Sequence, residues 1–226
     1  MTTACILVAA GRGERLGPGT PKALRQLAGQ PLVVRAARAA LESGALDVLV
    51  VAAPGDLVTE VESELRPLDG PVVIVAGGTT RRESVAAALT TLSAEVDVVL
   101  VHDAARCLAP AELFNTVAAA VSAGADAVIP ALAIPDTVKQ VDDDVVVATL
   151  DRSVLRAVQT PQGFRRDVLV RAHAAEAADA TDDAGLVERL GRPVRVVPGH
   201  EDAFKITRPV DLVLAEAVLA RRSGPR

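Results

Sequence analysis

The sequence is poor in the residues from which metal centres are built. Its 226 residues hold two cysteines, Cys5 and Cys107, and three histidines, His102, His173 and His200. The cysteines have no CxxC or Cys/His spacing, which excludes a thiolate metal site and leaves them as reduced, buried small hydrophobes. The scattered histidines exclude a His-based zinc site. No apolar run approaches the roughly 20 residues that span a bilayer, so no membrane partner is expected. The N-terminal stretch "MTTACILVAAG" has no basic n-region and does not read as a signal peptide; the expected location is the cytoplasm. An excess of positive charge is also missing. Lys and Arg number 24 against 29 Asp and Glu, a net charge of −5, which argues against nucleic-acid binding.

Apolar residues make up half the chain, enough for a substantial core, and charged residues 23%, an ordinary share. The charge is unevenly placed. Residues 1–40 carry six Arg/Lys and one Glu, a local +5, so the remainder sums to −10. A basic segment inside an acidic protein points to a local anion site.

The chain repeats as apolar strand, loop, helix. Short Val/Ile/Leu-rich strands are predicted at Ala4–Val8, Asp47–Ala52, Val72–Val75, Val96–Val101 and Ala127–Pro130. They do not alternate, which is how strands buried on both faces of a parallel sheet read. Helices are predicted at Leu32–Ser43, Leu57–Leu65, Arg81–Leu92 and Pro110–Ala123, two of them followed by Gly44 and Gly124 at the C′ position. This is the α/β pattern of a doubly wound, mostly parallel, Rossmann-like sheet. The rhythm breaks after Pro130. Thr137–Val141 and Val145–Ala148 flank the Asp142–Asp144 turn and predict a β-hairpin that projects as an arm, at about 133–152. Helix returns at Arg166–Ala178 and Asp182–Leu190, then a strand at Val194–Val197 and a last helix at Pro209–Arg221. With no linker and no repeat, residues 1–226 read as one domain with an arm.

The segment "LVAAGRGERLGPGTPKAL", Leu7–Leu24, follows the first strand. In open α/β sheets ligands sit beyond the carboxyl ends of strands. Glycines there let backbone N–H groups approach a phosphate, and basic side chains add charge. Two standard phosphate loops fail. Walker A needs Gly-Lys-Ser/Thr, and the dinucleotide fingerprint needs a glycine where Leu16 stands. The loop is long, about 20 residues before a helix near Pro31, which suits a triphosphate. Pro21 fixes the backbone before Lys22. On this loop alone, a basic surface loop and a nucleotide-binding module without chemistry stay open.

Further segments narrow the reading. "AGGTTRRESVAAAL" (Ala76–Leu89), "VHDAARC" (Val101–Cys107), "DTVK" (Asp136–Lys139), "LRAVQTPQGF" (Leu155–Phe164), "TDDAGLVE" (Thr181–Glu188) and "FKITRPVDLVLAE" (Phe204–Glu216) follow in order. Together with the opening loop they resemble the 2-C-methyl-D-erythritol 4-phosphate cytidylyltransferases over nearly the whole chain. Two positions depart from that pattern: Cys107, where the family commonly has proline, and Gly185, where it commonly has serine.

The resemblance implies CMP transfer from CTP to the polyol phosphate 2-C-methyl-D-erythritol 4-phosphate, with release of pyrophosphate. The nucleophile is already an anion, so positioning and electrostatics replace a general base. Arg15 and Lys22 are implied on the triphosphate, with backbone contacts from Ala10, Gly11 and Gly13. Base selection is implied at Ala76, Gly78 and Ser84, with a helix cap as the alternative for Ser84. Asp103 is the implied Mg²⁺ ligand, with a turn cap as the alternative. Arg106, Thr137, Arg152 and Lys205 are implied at the acceptor phosphate, Arg152 and Lys205 also in catalysis; Arg152 beside Asp151 also reads as a solvated pair. His102 reads as structural, and Asp136, Asp182 and Asp183 as orienting groups or caps. The family makes homodimers in which the arm completes the neighbour's site. Two alternatives remain: the same chemistry on another acceptor such as ribitol 5-phosphate, and a nucleotide-sensing protein without turnover.

Overall fold

The structure is a computed structural model that describes residues 1–11, 13, 16, 20–175 and 180–223. β1 (Thr2–Val8) is its central strand. Cys5 and Leu7 point to one face, and Ala4 and Ile6 to the other; all four are wholly buried. Burial on both sides explains why the strand is a continuous apolar run. Each fully buried Leu or Ile side chain contributes about 1.5–3 kcal/mol.

After β1 the chain makes a 3₁₀ turn at Lys22–Leu24 and a short hairpin, β2 (Gln26–Leu27) and β3 (Gln30–Pro31). The sequence reading had an unbroken loop there. The hairpin turns on Ala28 and Gly29, both at positive φ, and Ala-Gly is a weak turn signal. α1 (Leu32–Glu42), β4 (Val48–Ala53), α2 (Val58–Leu65), β5 (Val72–Ala76), α3 (Arg81–Leu89), β6 (Val96–Asp103) and α4 (Ala111–Ser122) continue the expected alternation. Gly44 and Gly124 take positive φ just past α1 and α4, as their positions required. α3 stops short of Leu92 because Thr90 and Thr91 turn their hydroxyls back onto the carbonyls of Ala87 and Ala88.

β7 (Ala127–Ala133) leads into the arm, a separate two-stranded sheet of β8 (Lys139–Asp142) and β9 (Val145–Thr149). Asp143 takes positive φ in its turn. The chain then adds two strands that sequence reading missed, β10 (Arg156–Val158) and β11 (Gln162–Arg165), antiparallel to β7 and, for β11, to β6. They are three and four residues long, and their pattern is broken by polar Gln162. That side chain is buried, donating to Asp182 at 2.7 Å and accepting from the Ala184 amide. α5 (Arg166–Ala174) ends before the predicted Ala178, and residues 176–179 lie outside the described ones. α6 (Asp183–Arg189), β12 (Val194–Pro198) and α7 (Pro209–Ser223) complete the chain.

The main sheet runs β10-β7-β11-β6-β1-β4-β5, with β12 also on β7; β6, β1, β4 and β5 are mutually parallel. Helices α1, α2, α4 and α7 bury residues on one face and α3, α5 and α6 on the other. The sheet is therefore doubly wound. Register brings the carboxyl ends level: Val8 opposes Asp103 of β6 and Ala52 of β4, and Ala53 opposes Ala76 of β5. No helix among the described residues is long and apolar enough to cross a membrane.

Candidate active site

A cleft of about 250 Å³ opens at this common edge. It is lined by Val8–Gly11, Gly13, Lys22, Ala23, Gly78–Arg81, Ser84, Asp103–Ala105 and Lys205. Its floor is the backbone leaving β1, where the amide of Ala9 still bonds Ala52 at 2.9 Å. Gly13 has φ +72°, and a Cβ there would stand 2.5 Å from Lys22 Cβ. The glycine thus admits the lysine stem to the loop. Lys22 opens the turn closed by Leu24 N–H onto Pro21 at 2.9 Å, with Pro21 at φ −52°. The proline's fixed φ defines where the lysine leaves the backbone.

The opposite wall is the entry to α3. Thr80 caps the helix, and Glu83 returns the bond, so this is a capping box. One Glu83 oxygen accepts from the amides of Thr79 and Thr80 and from the Thr79 hydroxyl. Ser84 accepts from Gly78 N–H at 3.1 Å and donates to the Thr80 carbonyl at 2.8 Å. Its hydroxyl therefore holds the loop. Gly77 and Gly78 let that loop close: a Cβ on Gly77 would lie 2.6 Å from Ala10 Cβ, and one on Gly78 would overlap Glu83 Cβ.

Asp103 ends β6 between two cations. Arg81 Nε lies 3.1 Å from Oδ1 and Lys205 Nζ 2.7 Å from Oδ2. Burial would raise its carboxyl, but Arg81 and Lys205 outweigh burial and hold it far below the usual carboxylate range. Behind it, Arg81 also binds Asp183, which pairs with His173 Nε2 at 2.9 Å. Burial works against the Arg81 charge, yet the two carboxylates raise its pKa. Arg81 was missed in the sequence. The available signal was a cation in the first turn of a helix, where the dipole disfavours it unless an anion faces it.

His102, next to Asp103, is wholly buried against Phe114 and faces Thr160 at 3.0 Å. Burial lowers its pKa to about 4, so the ring is neutral at pH 7 and does not line the cleft. The same Thr160 hydroxyl accepts the Asp103 amide at 3.0 Å.

Of the residues singled out in the sequence, Ala10, Gly11, Gly13, Lys22, Gly78, Ser84, Asp103 and Lys205 converge on the cleft. Ala76 ends β5 beside it. Arg15 lies outside the described residues. Arg106 does not line the cleft; its guanidinium donates to the carbonyls of Ala203 at 2.8 Å and Val158 at 3.1 Å. Thr137 and Arg152 are not brought to this chain's own cleft either. They stand exposed at the arm's base, where Arg152 donates to the Pro135 carbonyl. Cys107 leaves the turn after Asp103 intact, because its φ of −63° is the value proline would impose. Gly185 donates its N–H to Asp182 at 2.9 Å, so Asp182 caps α6.

No group of three or more His, Cys, Asp or Glu able to hold a metal occurs among the described residues. A single carboxylate at the mouth of a phosphate-type loop is instead the donor set for Mg²⁺ that takes its other ligands from substrate phosphates and water. Asp103 fits that role.

A parallel sheet whose carboxyl edge sets cations around one carboxylate, over exposed backbone amides, is the architecture of a nucleotidyltransferase. The family model described as IspD, 2-C-methyl-D-erythritol 4-phosphate cytidylyltransferase, matches residues 3–221, and the chain belongs to this family. It is 55% identical to the enzyme of that name from Streptomyces avermitilis, over 97% of this chain and 92% of the relative. Two solved structures agree in fold. The 4-diphosphocytidyl-2C-methyl-D-erythritol synthase from Anaerococcus prevotii has a TM-score of 0.85 and 30% identity, covering 97% of this chain and 99% of that one. The 2-C-methyl-D-erythritol 4-phosphate cytidylyltransferase from Thermus thermophilus has a TM-score of 0.77 and 37% identity, covering 98% and 100%.

Proposed function

We propose that this cleft transfers CMP from CTP to 2-C-methyl-D-erythritol 4-phosphate, and that the residues named above carry the transfer. An oxygen of the acceptor phosphate attacks the α-phosphorus of CTP. The new P–O bond forms as the bond to the β-phosphate breaks, and pyrophosphate leaves with the electron pair. No proton need be removed from the nucleophile, and His102, next to Asp103, is buried and neutral.

The observation that carries the reading is the convergence on one cleft of Lys22, Arg81, Asp103 and Lys205, from distant segments, with Arg81 and Lys205 paired to Asp103 and with Gly11 and Gly13 in the lining. Lys22 and Arg15 hold the triphosphate and meet charge developing at the α-phosphate. Asp103 is the residue that would hold a Mg²⁺ ion, which would supply further charge neutralisation when bound. Ala76, Gly78 and Ser84 shape the base pocket, where close backbone leaves no room for a purine. Lys205 turns from Asp103 to the acceptor phosphate, joined by Thr137 and Arg152.

Thr137 and Arg152 need a second chain. The arm exposes Val141, Val145, Val146 and Val147 on a two-stranded sheet, which is marginal alone and is stabilised when another surface covers it. A homodimer with exchanged arms covers the valines and carries both polar residues to the partner's cleft. The net charge of −5 argues against nucleic acid as a partner.

Pyrophosphate release with CTP and Mg²⁺ is the test, using 2-C-methyl-D-erythritol 4-phosphate and ribitol 5-phosphate in turn. Release with the first alone is expected. Release only with the second would reassign the acceptor, and release with neither would leave a nucleotide-binding module.

A further inference from the structure

We propose that the C-terminal end of α7 is a latch that positions Lys205, with Asp202, Arg221 and Arg222 as positioning residues. This rests on the reading of Lys205 as an acceptor-phosphate cation. Lys205 lies on no helix or strand; it follows the 3₁₀ turn Glu201–Ala203 on a strap of irregular chain. A lysine on a loose strap would wander by more than the reaction tolerates. A displacement of about 1 Å at a reacting centre costs on the order of a hundredfold in rate.

The strap is pinned along its length. Gln159 clamps His200, accepting its N–H and donating to its carbonyl, both at 2.9 Å. Arg106 holds the Ala203 carbonyl, and Ile206 N–H bonds Ala105 at 2.9 Å. Between these points Asp202 is only 5% exposed, and its carboxylate receives the end of α7. Arg221 Nη2 donates to both its oxygens at 2.7 and 2.9 Å, and Arg222 donates to Oδ2 through Nε and Nη2 at 3.1 and 2.7 Å. Arg222 Nη2 also reaches the Leu108 carbonyl at 2.7 Å, just past the turn that follows Asp103. The helix end thus ties the segment bearing Lys205 to the segment bearing Asp103, the two partners of the 2.7 Å cleft ion pair.

The fold alone does not require two guanidinium groups on one carboxylate. Truncating one partner leaves Asp202 with the other, so Arg222→Gln tests the latch without stranding a bare buried charge. Asp202→Asn is the stronger variant, and its melting temperature and the hydrogen exchange of the Ile206 amide report whether any loosening is local. For Arg222→Gln we expect kcat/KM for the acceptor to fall about tenfold, and for Asp202→Asn between tenfold and a hundredfold. KM for CTP should hold, and Ile206 exchange should rise.

The decisive measurement is a double-mutant cycle. If the latch acts through Lys205, Asp202→Asn adds no further loss to Lys205→Ala. Additive losses, or single latch variants with unchanged kcat/KM, overturn the latch. A fully active Lys205→Ala chain overturns the role of Lys205 itself, so the two failures are distinct.

Discussion

On the proposed reading the cleft and the arm solve the same problem, holding an anion, with opposite degrees of self-sufficiency. The described cleft is braced within its own chain: Gly13 and Pro21 set the backbone and the stem of Lys22, Gly78 and Thr80 hold Ser84, and Arg81 and Lys205 hold Asp103. The arm has little of this. Its valines face outward, and Thr137 and Arg152 stand clear of the cleft of their own chain. Preorganised charge is what accelerates transfer, so in the proposed function the cleft carries the chemistry and the arm acceptor capture.

The largest effect should come from Lys22→Ala. Losing one preorganised charge at the reacting centre lowers kcat on the order of 10²–10³, with CTP affinity nearly kept. Steady-state kinetics showing a normal kcat and only a raised KM for CTP would reduce Lys22 to a binding group. On the arm, Arg152→Ala should raise KM for the acceptor by about 2 kcal/mol, roughly thirtyfold. Calorimetry should find CTP binding intact, and a loss there would move Arg152 into the cleft's half of the work. Co-refolding the Lys22→Ala and Arg152→Ala chains joins the two regions. Random pairing makes half the dimers mixed, and one of their two sites is whole. About a quarter of wild-type activity should then return. No recovery in a proven dimer would mean that each arm serves its own chain.

Asp103→Asn should be milder at saturating metal. The amide keeps the shape but not the charge, so activity should require more Mg²⁺. An unchanged Mg²⁺ titration would make Asp103 a brace for Arg81 and Lys205 alone. The smallest effect at pH 7 should be that of His102→Asn, which leaves kcat within a few-fold. Its signature lies in acid. Burial lowers the His102 pKa from 6.5 to about 4, so below pH 6.5 the unfolded chain binds a proton that the fold refuses. Stability is full above pH 6.5 and is lost as pH falls towards 4, by up to about 3 kcal/mol. The variant should flatten that loss in acid melts. A steep kinetic defect at pH 7 would return His102 to the chemistry.

The parallel half of the sheet was legible because burial on two faces leaves uninterrupted Val, Ile and Leu, as in Val98–Val101. The antiparallel β10 and β11 were not, since Gln162 and Gly163 carry no strand signal; their places are set by contacts with distant Asp182 and by backbone pairing. Most of the cleft was readable from loop chemistry and family likeness together. Arg81 escaped because its partners, Asp103 and Asp183, lie 22 and 102 residues away. Arg106 was expected by resemblance at the acceptor phosphate; in this structure the carbonyls of Ala203 and Val158 hold its guanidinium, and nothing local announces them.

The position of β1 between β4 and β6 also matters for how the protein is made. The strand that ends at Val8 must wait for Val48 and then Val96 before both its edges are covered. At about 5–20 residues per second on a ribosome, that second partner arrives roughly 5–20 seconds later. For that interval a strand whose Ala4–Leu7 stretch is wholly buried in the fold is a nascent segment without its sheet. Variants that slow translation before β6 should therefore change soluble yield more than the same pauses placed after it.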